Sequence, residues 1–135
     1  MAKQTRSEKL RRLVEVQKHL ERMAENDLAN VTAARREVQN DLDAVVDAIG
    51  SLNPVHQIFA GLYSVQVGRL TAKDQHLQTL QGIHENRMLR ERVKAERLEE
   101  HRKQALEAET REAEDEAIYE LLDAHLSSHR QRDLD

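Results

Sequence analysis

The sequence has 135 residues, of which 34% are charged and only 2% are aromatic, and its formal net charge is −4. A globular core of this size needs large side chains, so the composition argues against an ordinary globular domain and favours long helices or a coiled coil. With one proline and four glycines, the chain has too few turn residues for many short elements.

Several kinds of site are excluded by the residues that are absent. There is no cysteine, and therefore no disulfide framework, thiolate zinc site or cysteine nucleophile. No apolar run approaches the roughly 18 residues that a membrane span needs. The basic start "MAKQTRSEKLRR" has no apolar stretch behind it, so we expect no secretory signal. These features predict a cytoplasmic protein without direct membrane insertion.

The first arm of the chain begins with a helix-capping pattern. Thr5 and Glu8 form a T-x-x-E capping box, and apolar positions then recur every three or four residues as far as Ile49. The sequence therefore predicts helix one over about residues 6–49. One stripe of positions is spaced by seven residues: Leu10, Gln17, Ala24, Val31, Val38, Val45 and Leu52. A stripe this narrow predicts packing on one partner helix.

Turn residues gather in one stretch, "IGSLNPVHQ". Gly50 falls one residue past the last helical position, where a left-handed glycine commonly ends a helix. Asn53 and Pro54 form an N-cap and first-position pair that starts the next one. Because these stop and start signals are so close together, we predict a hairpin bend at residues 50–53 in preference to a flexible linker.

After the bend, apolar positions resume and predict helix two over about residues 54–126. They are Val55, Ile58, Phe59, Leu62, Val65, Leu70, Leu77, Leu80, and either Ile83 or His84. Three glycines each weaken this helix by roughly 1 kcal/mol relative to alanine; they are Gly61, Gly68 and Gly82. The sequence leaves two alternatives open, a continuous helix and one kinked near residues 68–72. Residues 127–135 are expected to form a frayed tail.

Together these elements predict an all-α fold, a long antiparallel two-helix hairpin that forms a single domain over residues 1–135. Folding back at the bend places Glu8 near Ala95, so the rest of helix two is a C-terminal overhang without a partner in the hairpin. Charge is uneven, because residues 1–12 carry five basic residues and one acid, whereas residues 107–135 carry three and ten. The overhang contains an apolar group: Ile118, Leu121 and Leu122. The sequence leaves two roles for this group open, binding a partner and capping the bundle.

The sequence offers no motif for catalysis. His125 and His129 could share a helix face, but no further zinc ligand lies at a useful spacing. Nucleotide-binding and nucleophile-elbow glycine motifs are missing, so we expect no enzyme, no metal and no cofactor. The basic residues between Arg87 and Arg97 alternate with glutamates, and aromatic residues for base stacking are scarce. We therefore expect no nucleic-acid binding.

Two stretches carry a family resemblance: "KLRRLVEVQKHLERMAENDLANVTAARREV" and "RVKAERLEEHRKQALEAETREAEDEAIYELL". The first has short-spaced leucines followed by an Ala-, Arg- and Glu-rich helix, and the second is an Arg/Glu-rich stretch with an acidic-apolar end. In these features the chain resembles the FliJ family of flagellar type III export proteins and their injectisome counterparts. The resemblance implies a stalk-like cytoplasmic hairpin, peripheral to the inner membrane at the export apparatus.

That resemblance also implies partners. They would be the hexameric export ATPase, an export gate component and substrate chaperones, bound by a monomer or weak homodimer. As a hypothesis, the hairpin end opposite the bend enters the ATPase ring through four basic residues: Arg11, Arg12, Arg97 and Arg102. The alternative is a self-associating structural coiled-coil adaptor without an ATPase partner, in which the helix stripes pair between chains.

Overall fold

The computed structural model describes residues 3–134, and it contains three helices and no strand among them. Helix α1 spans Arg6–Ile49, α2 spans Pro54–Ile58, and α3 spans Ala60–Leu134. The two long helices pack antiparallel, which confirms the predicted all-α hairpin. No described helix is long and apolar enough to cross a membrane.

The chain divides into two compact units, each containing a part of α1 and a part of α3. Among the described residues, unit 1 covers residues 3–16 and 95–134, and unit 2 covers Gln17–Lys94. The single domain predicted for residues 1–135 stays a prediction, and Asp135, the last residue of the predicted tail, lies outside the described residues.

Helix α1 begins with the predicted capping box. The backbone N–H of Thr5 donates to Glu8 Oε2 at 3.4 Å, and the N–H of Glu8 donates to Thr5 Oγ1 at 3.3 Å. These reciprocal bonds satisfy amide groups that have no partner within the helix, which is why the helix starts at this point.

Most of the buried and half-buried positions of α1 fall into two rows with a spacing of seven residues. The first row is Leu10, Gln17, Ala24, Val31, Val38 and Val45, and the second is Ser7, Val14, Glu21, Leu28, Arg35 and Leu42. The stripe predicted from Leu10 to Val45 is therefore confirmed. Leu52, its predicted last member, instead lies in the bend and is 90% exposed.

Helix α3 has two matching rows of buried and half-buried positions. One is Ala60, Val67, Asp74, Gln81, Met88, Ala95, Arg102 and Glu109, and the other is Tyr63, Leu70, Leu77, His84, Glu91, Leu98 and Ala105. Sevenfold spacing on both helices is the pattern of a coiled-coil seam. Of the two sequence alternatives, His84 occupies the seam, and Ile83 is exposed.

Polar side chains within the seam of unit 2 are paired across the two helices. Arg35 donates to Asp74 Oδ1 and to Gln81 Oε1, both at 3.0 Å. Gln17 donates through Nε2 to the carboxylate of Glu91 and, at 3.2 Å, to the backbone carbonyl of Glu91. The hydrogen bond from Gln17 holds the pKa of Glu91 below its ordinary value. Half-buried polar pairs of this kind favour one register of the two helices, because slippage would leave them without partners.

The bend differs from the prediction at Gly50, which does not adopt a positive φ. Its N–H instead makes a helical bond to the Val46 carbonyl at 3.1 Å, and Ser51 N–H bonds to the Ala48 carbonyl at 3.2 Å. The helix therefore ends by tightening its last turn, so a left-handed glycine is not needed. Asn53 is an N-cap, as predicted, and its side chain accepts from the Val55 N–H at 3.0 Å.

The second arm is interrupted at Phe59, ahead of residues 68–72, where the sequence left a kink open. The Asn53–Pro54 signal starts only the five-residue α2, and the break falls at Phe59, where φ is −97° and ψ is 8°. Helix α3 then runs without interruption through residues 68–72, where the sequence left a continuous helix and a kinked one open. Residues 127–134, expected to be a frayed tail, belong to α3.

The tightest point of the seam in unit 2 is Ala24, whose side chain is 0% exposed. We expect Ala24→Leu to lower the free energy of unfolding by about 1–3 kcal/mol, because the larger side chain has no room. Urea unfolding followed by circular dichroism measures this change. The matched control is Ala33→Leu on the exposed face of α1, for which a change within about 0.5 kcal/mol is expected. Equal effects of the two substitutions would contradict close packing at Ala24.

Candidate functional site: protein-docking surfaces

Unit 1 contains an open groove of about 330 Å³ between the start of α1 and the facing part of α3. We call it the charged groove; its lining residues are Thr5, Ser7, Glu8, Arg11, Arg102, Leu106 and Glu109. Two arginines and two glutamates are among these lining residues, so the groove offers both signs of charge to a polar partner.

Glu109 holds the start of α1 in place. Its Oε1 accepts from the backbone N–H of Ser7 at 3.0 Å, and its Oε2 accepts from Ser7 Oγ at 2.6 Å. The carboxylate thus caps one amide, that of Ser7, at the positive end of the helix dipole. These two hydrogen bonds from Ser7 lower the pKa of Glu109 below its ordinary value.

The four arginines assigned to an ATPase contact differ in their surroundings. Arg11 and Arg102 line the charged groove. Arg102 is engaged by Glu99, with Nη2 at 2.6 Å from Oε1, and this pairing raises the pKa of the guanidinium. Arg12 is exposed, and both of its terminal nitrogens donate to the Gln4 side-chain oxygen when that amide is turned toward it. Arg97 is exposed and is not a groove residue. The four therefore do not form one patch.

The predicted apolar group of the overhang is exposed on α3. Ile118 is 54%, Leu121 is 72% and Leu122 is 51% accessible, and every residue from Thr110 to Leu134 is exposed. Of the two roles left open by the sequence, this exposure favours binding a partner over capping the bundle. An apolar face of this kind indicates a protein-binding surface.

Unit 2 presents a second apolar surface, at the bend, that was not predicted. We call it the bend surface, and it consists of exposed Leu52, Val55, Ile58, Phe59, Leu62 and Val65. Five of these six residues were expected to fill the seam of helix two. The early break at Phe59 changes which positions face α1, so that Ala60, Tyr63 and Val67 fill the seam instead.

The bend surface has a fixed local structure. Asn53 caps α2, and His56 Nδ1 lies 3.0 Å from the hydroxyl of Tyr63, a seam residue. The ring of Phe59 also lies beside Tyr63, with centroids 6.4 Å apart. An apolar patch held in this way loses little conformational freedom on binding, which favours tight association.

A signal in the sequence could have indicated the bend surface. Residues 48–68, between Asp47 and Arg69, include no Asp, Glu, Lys or Arg, although 34% of the whole chain is charged. A helix that buries one face can still carry charged residues on its opposite, solvent-facing side. The absence of charge all round this segment is thus a sign of an exposed apolar surface.

The histidines of the described residues lie apart from other metal-ligating side chains. His125 and His129 stack with ring centroids 6.4 Å apart, but no three His, Asp or Glu side chains converge within residues 3–134. His84 is half-buried in the seam, and its Nδ1 has no hydrogen-bond partner among the described residues. That the protein is not an enzyme stays a prediction.

Comparisons with protein-family models, with curated proteins and with solved structures find no match to this chain. The resemblance to the FliJ family therefore stays a prediction, and the functional argument depends on the surfaces described above.

The Glu109 cap predicts a pH dependence of stability. Its folded-state pKa lies below the unfolded one, so its contribution is present above the ordinary glutamate pKa of about 4.3 and is lost as the pH falls through the folded-state value. We expect Glu109→Gln to lower the melting temperature at pH 7, with a difference from the parent that shrinks toward pH 3.

Thermal unfolding at a series of pH values, followed by circular dichroism, measures this effect. Glu112→Gln is the matched control, because Glu112 is an exposed residue of the same helix that lies outside the Ser7 contact. A parallel pH profile for the parent and Glu109→Gln would show that the cap does not contribute.

Proposed function

We propose that this protein is a non-enzymatic accessory subunit of a flagellar or type III protein export apparatus, a stalk-like coiled coil that binds the hexameric export ATPase and brings substrate chaperones to the export gate. The observation that carries this proposal is the presence of two docking surfaces of contrasting chemistry, the charged groove and the bend surface, on one antiparallel hairpin. A protein that links partners needs separate surfaces of this kind.

The charged groove supports the ATPase contact. A subunit that must rearrange its contacts during a catalytic cycle is served by polar interactions, which are hydrated and reversible, better than by a dry apolar interface. The beginning of α1 adds to this, because residues 1–12 carry five basic residues and one acid. Such a cluster favours an acidic partner surface and speeds association with it.

The bend surface supports a second protein partner, which we assign to the export gate or to a chaperone. Exposed apolar side chains without interspersed charge match an apolar groove on another protein. Three aspartates, Asp41, Asp43 and Asp47, precede the bend surface in the sequence. Because they would be repelled by anionic lipid head groups, a protein partner is favoured over a membrane surface.

The alternative, an adaptor whose helix stripes pair between chains, receives less support. The seam positions of α1 and α3 are already paired within one chain, as the Arg35–Asp74 and Gln17–Glu91 bonds show in unit 2. Exchanging helices between two copies would break these pairs within one chain and form the same pairs between chains, so it would gain no contact that the single hairpin lacks.

Charge reversal tests the ATPase contact. We expect the parent protein to stimulate phosphate release by the export ATPase of the same organism. The triple variant Arg11→Glu, Arg12→Glu and Arg97→Glu should require a several-fold higher concentration for half-maximal stimulation, because exposed charge pairs contribute about 0.2–1 kcal/mol each. Arg102 stays unchanged, since its reversal would also break the pair with Glu99.

The control for this experiment carries the same change in net charge in unit 2: Arg36→Glu, Arg69→Glu and Lys73→Glu, all at exposed positions. Circular dichroism of both triple variants shows whether the helices remain. Stimulation that is equal for the two variants, or absent for the parent, would count against the ATPase assignment.

Substitution in the bend surface tests the second contact. We expect Ile58→Glu with Leu62→Glu to weaken binding to the cytoplasmic part of the export gate, or to a substrate chaperone, by at least about tenfold, because central apolar contacts dominate protein interfaces. Isothermal titration calorimetry measures the affinity. Val16→Glu with Leu89→Glu is the control, since both residues are exposed apolar positions away from the bend. Unchanged binding by the first variant would remove the bend surface from the proposal.

A further inference from the structure

The last part of α3 in unit 1 is a helix without a packing partner. From Thr110 to Leu134 every residue is exposed, including six large apolar or aromatic ones: Ile118, Tyr119, Leu121, Leu122, Leu126 and Leu134. A single helix of this length is marginal in water, and helices in proteins gain most of their stability from packing an apolar face. This segment therefore needs something to cover it.

The apolar face of the segment points away from the seam. At about 100° per residue, Ile118 lies about 180° around the helix axis from Glu109, the last residue of α3 that bonds to α1. Leu122 and His125 lie within about 40° of Ile118, so they share its face. The face is therefore a separate surface and not a continuation of the α1–α3 seam.

We propose that this face binds the same face of a second copy of the chain, antiparallel, with the twofold axis near Leu122. The charges on either side of Leu122 are the reason for proposing a second copy of the chain as the partner. Residues 112–116 hold four acids and no basic residue, whereas residues 129–133 hold two arginines and one aspartate. In an antiparallel pair, the acidic part of each copy lies against the basic part of the other.

The register around Leu122 matches individual charges. Glu114 lies opposite Arg130 of the second copy, Asp115 opposite His129, and Arg111 opposite Asp133. Twofold symmetry makes each of these pairs occur twice. In a parallel pair, each of the four acids in residues 112–116 would lie beside the same acid of the second copy, and these like charges would repel each other. Self-association through this face is therefore specific for the antiparallel orientation.

This dimer leaves each hairpin intact. It uses only residues beyond Glu109, so the seam between α1 and α3 is not exchanged. The proposal does not depend on the export ATPase, and loss of ATPase binding would not affect it.

Site-directed crosslinking tests the orientation, because the chain has no cysteine and Leu122→Cys introduces its only thiol. Under mild oxidation with copper phenanthroline, we expect Leu122→Cys to form a covalent dimer and His129→Cys not to form one. In the antiparallel register the two copies of residue 129 are separated by 14 residues of helix, about 20 Å. Crosslinking at both positions, as in a parallel pair, or at neither would overturn the proposal.

Sedimentation velocity of the full chain between about 1 and 300 μM tests the energetics. We expect a monomer–dimer equilibrium whose dissociation constant rises about fivefold in Glu114→Arg and returns to within about twofold of the parent when Arg130→Glu is added. Leu122→Glu should raise the constant at least tenfold. Leu62→Glu, at a position of similar exposure in the bend surface, should not change it.

Circular dichroism of each variant checks that its helix content is retained. A chain that is monomeric over the whole concentration range would overturn the proposal and assign this face to a different protein. A dimer that is insensitive to Leu122→Glu would overturn it as well, since the two copies would then meet elsewhere.

Discussion

The packing of α1 on α3 depends on one stripe along each helix, because two helices that pack only on each other leave most of their surface in water. No large side chain is fully buried among the described residues, and Ala24 is the most enclosed apolar one. A seam of this kind gains little from shape complementarity alone. Register is set instead by polar residues placed within the stripe: Gln17 with Glu91, and Arg35 with Asp74. Each of these pairs would lose its hydrogen bonds if one helix moved by a turn along the other.

The elements that could be predicted from the sequence are those with local signals. The Thr5–Glu8 capping box, the Asn53 N-cap and the sevenfold stripe of α1 all involve residues within one or two helical turns of each other. The Glu109 cap on Ser7 could not be predicted, because its two residues are 102 positions apart and either could have had many partners. The position of the break at Phe59 could not be predicted either. The break lies beside the contact of His56 with Tyr63, which joins α2 to α3 and has no signature in a sequence pattern.

Of the candidate site residues, the apolar group at Ile118, Leu121 and Leu122 could be found from the sequence because it stands out within a charged helix. The basic residues were harder to interpret, since a formal charge does not show whether a side chain is already engaged. Arg102 is engaged by Glu99, whereas Arg97 is exposed. The three surfaces differ in chemistry: the groove carries both signs of charge, the bend surface is uncharged, and the terminal face is apolar with opposite charges on its two sides. Such differences allow one chain to bind several partners without competition between them.

The growing distance in sequence between paired residues has a consequence for how the protein folds. Arg35 and Asp74 are 39 residues apart, Asp27 and Arg87 are 60, Gln17 and Glu91 are 74, and Ser7 and Glu109 are 102. Closing the longest of these loops directly is slow, but each closure becomes short once the previous contact has formed. We therefore expect helix pairing to begin at the bend and to proceed outward. During synthesis at about 5–20 residues per second, α1 is complete several seconds before the part of α3 that pairs with it. Its apolar stripe is unpaired during that interval. The many charged residues between its apolar positions keep the unpaired helix soluble over that interval.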